Sequence, residues 1–242
     1  MDNLKEILKI HFSHSEIGYS SCLFTVDNVT LEAGNVYALM GKNGCGKTTL
    51  LQTLLGEQKL LGGTIRMNET AIQALHAKEK TAYLSFVPSK FYGVQHLSVK
   101  DLITLGRAPF TNVLGKLSQQ DRQRVDEILN LLNLENLQSK SSHLISDGER
   151  QKAMIGKALA QEAAVIVLDE PTAFLDYSNR LKTIKLLKKI AKEEKKLVLF
   201  STHNVDLAFE FCDVILAVDN TRKFNSYYPQ TIKKEIFIEE VY

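Results

Sequence analysis

The stretch Gly41-Lys42-Asn43-Gly44-Cys45-Gly46-Lys47-Thr48-Thr49 constrains this chain more than any other. It has the form G-x-x-x-x-G-K-T. The apolar run before it, Val36 to Met40, reads as a buried strand, and Lys47 to Leu55 reads as a helix ended by Gly56. A strand that turns over glycines straight into a helix points several backbone N–H groups at one spot. The positive end of the helix lies at the same spot, so the turn cradles phosphate oxygens. Lys47 can reach β- and γ-phosphates as a point charge, and the Thr48 hydroxyl can ligate Mg²⁺.

The remaining pattern predicts an α/β fold with a mostly parallel core sheet. Residues 3–12 and 22–31 alternate apolar and polar and read as half-exposed antiparallel strands, with Tyr19 following Gly18 between them. Leu61 to Met67 reads as a turn and a short strand, and Thr81 to Val87 as a strand closed by Pro88. From about 89 to 160 the character is helical. Ser98 precedes Asp101, Ser118 precedes Asp121 and Ser146 precedes Glu149, each an N-terminal capping pattern. Strand and helix then alternate: Val165–Leu168, a helix from Asn179 to Glu194, Leu197–Phe200, a helix from Val205 to Cys212, and Val214–Val218. The tail from Asn225 is polar, then amphipathic through Ile232, Ile236 and Ile238. The expected organisation is one unit over 1–242. Its core is 1–88 and 161–242 with an N-terminal antiparallel β subdomain, and 89–160 is an inserted α-helical subdomain.

The second chemical feature is Asp169-Glu170, which ends the apolar strand Val165–Leu168. Two carboxylates at the carboxyl edge of a parallel sheet lie where such sheets bind ligands. Asp169 suits a Mg²⁺ site, and Glu170 is then placed to polarise a water. The third is Ile145-Ser146-Asp147-Gly148-Glu149-Arg150-Gln151. It resembles the Leu-Ser-Gly-Gly-Gln/Glu signature of ABC-type ATPases. The resemblance implies ATP as ligand and a second ATPase subunit, most simply a second copy of this chain. In that arrangement Ser146, Asp147, Gly148 and Glu149 of one subunit close over ATP held by the other. Asp176, in Phe174-Leu175-Asp176, sits where the family has its D-loop. His203, in Ser201-Thr202-His203-Asn204, resembles the switch histidine at the γ-phosphate. Tyr19 resembles the aromatic residue that stacks on adenine. Leu105-Gly106-Arg107-Ala108-Pro109 resembles a segment of importer ATPases for iron–siderophores, haem and cobalamin.

Two positions depart from the family pattern. Asp147 replaces the first glycine of the signature and adds negative charge near a triphosphate. Ser89 stands where the family has a glutamine that senses Mg²⁺ and the attacking water and links the site to a membrane partner. The resemblance implies an ATP-hydrolysing importer subunit on the inner face of a cell membrane. It would work with a transmembrane permease near residues 89–110 and, indirectly, with a substrate-binding protein. Two alternatives stay open: a soluble ATPase that remodels a protein or nucleic acid, and a slow-hydrolysing ATP-gated switch. A net charge of +2 gives no global field for nucleic acid, and none is expected as a partner. Cys22, Cys45 and Cys212 show no disulfide or metal spacing. No stretch approaches the length of an uncharged membrane span, and Met1 to Ile10 is not a signal peptide.

Overall fold

A small antiparallel sheet opens the chain in the computed structural model, which describes residues 8–111 and 115–242. Its strands are β1 (Lys9–Gly18), β2 (Cys22–Val26) and β3 (Val29–Glu32). The strand expected over 3–12 therefore differs. Residues 3–7 lie outside the described residues, and the strand runs on to Gly18. The alternation is interrupted at His14, φ 45°, where a bulge resets the register. Ser15 and Ile17 then turn inward as Ile10 and Phe12 do, and the buried Ser15 hydroxyl donates to the Thr64 carbonyl at 2.7 Å. The strand expected over 22–31 is two, divided at Asp27-Asn28 with Asn28 at φ 50°.

β4 (Val36–Met40) is buried at every residue. Val36, Ala38 and Met40 enter the core shared with the helical layer. Tyr37 and Leu39 enter the core shared with the small sheet and α1 (Lys47–Leu55). Burial on both faces is what a central parallel strand requires. α1 ends at Gly56, φ 79°, as read from the sequence. β5 (Gly62–Met67) and β6 (Thr70–Ala71) then complete the small sheet in the order β2-β1-β5-β6, with β3 also paired to β1. The strand expected over 81–87 is only half strand. α2 (Ala77–Tyr83) runs through Thr81-Ala82-Tyr83 before β7 (Leu84–Val87) begins. The Glu79 carboxylate accepts the His76 N–H at 2.7 Å and starts that helix.

The described helices between β7 and β8 are α3 (Val99–Thr104), α4 (Gln119–Leu132) and α5 (Asp147–Ala160), opening on Ser98, Ser118 and Ser146. A 3₁₀ turn at Leu105–Phe110 carries Arg107, which is buried. Its Nε and Nη2 donate to Asp121 Oδ1 at 2.9 and 2.7 Å, and its Nη1 donates to the Ala160 carbonyl at 2.8 Å. Gly106 is needed beside it, because a Cβ there would lie 2.1 Å from the Lys157 carbonyl oxygen. The Leu-Gly-Arg segment thus clamps the turn, α4 and the end of α5 together.

The chain continues with β8 (Val165–Leu168), α6 (Tyr177–Glu193), β9 (Leu197–Ser201), α7 (Val205–Phe211), β10 (Val214–Val218), β11 (Phe224–Tyr227) and α8 (Lys234–Val241). The large sheet has the order β11-β10-β4-β9-β8-β7, parallel except for the β10–β11 pair. The tail is therefore a strand and a helix. α8 buries Phe237 and Val241, while its Ile236 and Ile238 face solvent. Carboxyl ends of β7, β8, β9, β4 and β10 share one edge of the sheet.

Candidate active site

The loop after β4 stands at that edge. Gly41, Gly44 and Gly46 have φ of 139°, 77° and 107°, a region costly for any residue with a Cβ. At Gly46 a Cβ would also lie 2.8 Å from the Phe24 ring. Gly46 caps α1 with no side-chain bond, so the N–H groups of the first turn keep their capacity for an anion. Lys47 is buried, and its Nζ donates to the carbonyls of Gly41 at 2.9 Å and Lys42 at 3.2 Å. The ammonium thus lies across the loop. Lys42, Asn43, Gly44 and Thr48 are exposed, Cys45 is half-buried, and Thr49 is buried.

Asp169 and Glu170 follow β8, next to β9. Ser201, the fully buried last residue of β9, joins them. Its hydroxyl donates to Asp169 Oδ1 at 2.6 Å and accepts the Glu170 N–H at 2.8 Å. Glu170 has φ 44°, a left-handed conformation rare outside glycine, and the Ser201 bond helps hold it there. His203 Nε2 lies 3.0 Å from Glu170 Oε1. Sequence reasoning missed Ser201. The available signal was a hydroxyl ending an otherwise apolar strand, two residues before the histidine.

The signature segment forms a second group. Ser146 Oγ accepts the Glu149 N–H at 3.3 Å, and Glu149 Oε2 accepts the Ser146 N–H at 2.9 Å, the full reciprocal cap. The Ser146 N–H, then its hydroxyl, hold the Glu149 carboxyl below the usual range. Asp147 does not present an unpaired charge: its Oδ1 accepts from Arg150 Nη1 at 2.6 Å. Arg150 also donates to the carbonyls of Ser142 at 3.1 Å and Ile145 at 2.8 Å, fixing the chain that leads into α5. At Gly148 a Cβ would lie 3.1 Å from Asn179 Cγ. Asp176 caps α6 by accepting the Asn179 N–H and its side-chain amide, both at 2.8 Å. Asp176 and the signature therefore meet through Asn179 and Gly148.

Ser89 lines a cleft of about 220 Å³ with Phe91, Tyr92, Asp147, Glu170 and Phe174. The loop beyond it is tied to the approach to the signature. Val94 N–H donates to Ser142 Oγ at 3.0 Å, and Ser142 N–H donates to the Leu97 carbonyl at 2.8 Å. Tyr19 is exposed, with its hydroxyl 3.5 Å from Gln52 Oε1 on α1. Among the described residues no cluster of three or more His, Cys, Asp or Glu is placed to hold a metal ion. The donors on hand are the exposed Thr48 hydroxyl and the Asp169 carboxylate. That sparse oxygen set fits Mg²⁺, which takes its other ligands from water and phosphate.

A glycine-rich phosphate loop, an Asp-Glu pair after β8 and a histidine just after β9, the strand between β4 and β8, are the parts of a phosphate-loop nucleoside triphosphatase. A family model described as "ABC transporter" matches residues 24–173. This chain belongs to the ABC transporter family; it binds ATP and hydrolyses it. It is 32% identical over 228 residues to the achromobactin transport ATP-binding protein of Dickeya dadantii, covering 93% of this chain and 84% of that one. It is 30% identical over 217 residues to a siderophore transport system ATP-binding protein of Bacillus subtilis, covering 89% and 79%. Among solved structures it resembles an inward-facing metal-chelate type ABC transporter, with a TM-score of 0.81, 29% identity and coverage of 93% and 85%. It also resembles cbiO1 from Clostridium perfringens, part of the complex cbiONQ, with a TM-score of 0.80, 27% identity and coverage of 95% and 90%.

Proposed function

We propose that this chain powers import of an iron chelate, haem or cobalamin, as one of two ATPase subunits beneath a transmembrane permease. Lys47 and the N–H groups of Gly41–Thr49 hold the phosphates of ATP. Thr48 and Asp169 hold Mg²⁺, which supplies charge neutralisation at those phosphates. Glu170 accepts the proton of the attacking water, and His203 orients the Glu170 carboxylate and reaches the γ-phosphate. Tyr19 stacks on adenine. Ser146, Asp147, Gly148 and Glu149 of a second copy close the site, with Asp176 at the subunit boundary. The chain works as one ATPase unit, with 89–160 as its helical arm. The cleft at Ser89, rimmed by the exposed Tyr92 and Phe174, receives the permease, and a substrate-binding protein delivers cargo from the other side. No described helix is long and apolar enough to cross a membrane. The protein sits on the cytoplasmic face of the membrane that holds the permease.

The observation that carries this reading is the 3.0 Å contact between Glu170 and His203 beside an Asp169 held by Ser201. The test is dimerisation of Glu170→Gln with ATP and Mg²⁺, read by light scattering. A dimer that forms only with ATP and disappears when Ser146→Arg is added supports the shared site. A Glu170→Gln protein that hydrolyses ATP as fast as wild type refutes the role of Glu170.

A further inference from the structure

The loop before α6 is held from the first turn of that helix. Asp176 accepts two bonds from Asn179, one from the backbone N–H and one from the side-chain Nδ2, both at 2.8 Å. Arg180 Nε donates to the Leu175 carbonyl at 2.6 Å and fixes the residue before. The Asn179 amide, oriented by its bond to Asp176, also borders the signature. A Cβ on Gly148 would lie 3.1 Å from Asn179 Cγ, 3.2 Å from its Nδ2 and 3.4 Å from its Oδ1. Such similar distances to all three atoms mean that the flat face of the amide, rather than one edge, lies against the glycine. Gly148 opens α5, which packs with α3 and α4, whereas Asn179 opens α6, which packs on β9 and β4. The contact therefore joins the helical arm to a helix of the large sheet.

The cap of α6 does not need that amide. It uses the backbone N–H of Asn179, which almost any residue supplies. What the amide adds is a spacing. Ser146, Asp147 and Asp176 are exposed, while Gly148 and Asn179 between them are half-buried. Two exposed segments thus share one support, and its thickness sets how far apart they stand. A shorter side chain at 179 leaves a gap under the start of α5, and a side chain at 148 pushes that start away. We infer that Asn179 is a positioning residue for the ATP site shared between subunits: its amide, clamped by Asp176, is the stop on which Gly148 rests. The signature and Asp176 then meet a second copy in one fixed relation.

The inference rests on the shared-site reading, and the test separates the two. Dimer dissociation constants with ATP and Mg²⁺ are measured by light scattering over a protein concentration series. The parent is Glu170→Gln, and to it are added Asn179→Ala, Gly148→Ala, both together, and Ser146→Arg. ATP affinity of the dilute monomer and the melting temperature are measured on each. Losing one hydrogen bond weakens a site about 2- to 10-fold, and a dimer has two such sites. Asn179→Ala should therefore raise the dimer dissociation constant about 4- to 100-fold. Its monomer should bind ATP and melt as the parent does, because alanine keeps the backbone bond that caps α6. Gly148→Ala should weaken the dimer on its own but cost less once Asn179→Ala has made room for the new methyl group. Parent-like dimerisation of Asn179→Ala overturns the inference. So do strictly additive effects of the two alanines, which deny the contact, and a matching loss of monomer ATP affinity, which places the fault at the phosphate loop. If the parent itself does not dimerise with ATP, or Ser146→Arg leaves its dimer intact, the shared-site reading fails and the inference falls with it.

Discussion

Replacing Ser201 with alanine tests how the acidic pair is held. The side chain is fully buried and makes two bonds, one to a carboxylate and one from a backbone N–H. A hydrogen bond to a charged group contributes about 1.5–3 kcal/mol, and an N–H left without an acceptor costs about 1–3 kcal/mol. Asp169 and Glu170 are half-buried, so water recovers part of this. The expected loss is about 2–4 kcal/mol, or roughly 8 °C in melting temperature for a chain of this size. That leaves a folded protein, because domains have about 5–15 kcal/mol in reserve.

The functional loss should be larger in kind. Without the Ser201 hydroxyl, Asp169 loses the bond that orients its carboxylate, and Glu170 loses a bond holding its left-handed backbone. Removing such a supporting partner typically lowers metal affinity or activity about 10- to 100-fold. The assay is ATP hydrolysis titrated with Mg²⁺. Ser201→Ala should raise the half-saturating Mg²⁺ concentration and lower the plateau, whereas Ser201→Thr, which keeps the hydroxyl, should recover most of both. An alanine variant that melts with wild type and keeps its Mg²⁺ dependence would refute the reasoning, since neither bond would then matter.

Further outcomes follow from Arg107 and Glu170. Arg107→Ala should cost about 3–5 kcal/mol by leaving the Asp121 carboxylate buried without its guanidinium, read by urea denaturation. Bonds from Ser118 first, then Arg107, hold the Asp121 carboxyl below its ordinary 3.8. Its stabilisation is therefore complete above that value and is lost as pH falls through the lower folded one. Wild type should lose stability in that acid range more steeply than Arg107→Ala. Glu170→Gly should abolish hydrolysis yet raise the melting temperature, because glycine takes φ 44° without the strain of about 1 kcal/mol that a Cβ brings. A Glu170→Gly protein less stable than wild type would place the balance with the lost His203 contact instead.

What could be read from the sequence was what local punctuation controls. Gly46 and Gly56 bracket α1, and Ser98, Ser118 and Ser146 each start a helix, because caps act within a few residues of themselves. Thr81-Ala82-Tyr83 misled because its composition suits a strand, while the Glu79 cap that makes it helical lies upstream. The tail misled because its isoleucines outnumber the two residues, four apart, that α8 buries. Ser201 was out of reach for a different reason: its partners are more than thirty residues away, and only the strand order β4-β9-β8 brings them together.

Asp147 lies between these cases and decides how far a departure from a family motif should be read as a defect. Taken alone, an acid in the signature sets a negative charge against a triphosphate. Yet Arg150 stands three residues on, on the same face of a helix whose start Ser146 already marks. The pair forms at 2.6 Å, and the guanidinium is nearly buried by its bonds to three carbonyls of the approach to α5. Asp147 thus balances a cation that the local backbone holds in place, and its charge reaches the site as one end of a dipole. The same logic does not extend to Ser89. There the departure is in length rather than charge, and the side chain borders an open cleft shared with Glu170. Of the two substitutions, Ser89 is the one on which a difference in coupling between hydrolysis and the membrane partner should turn.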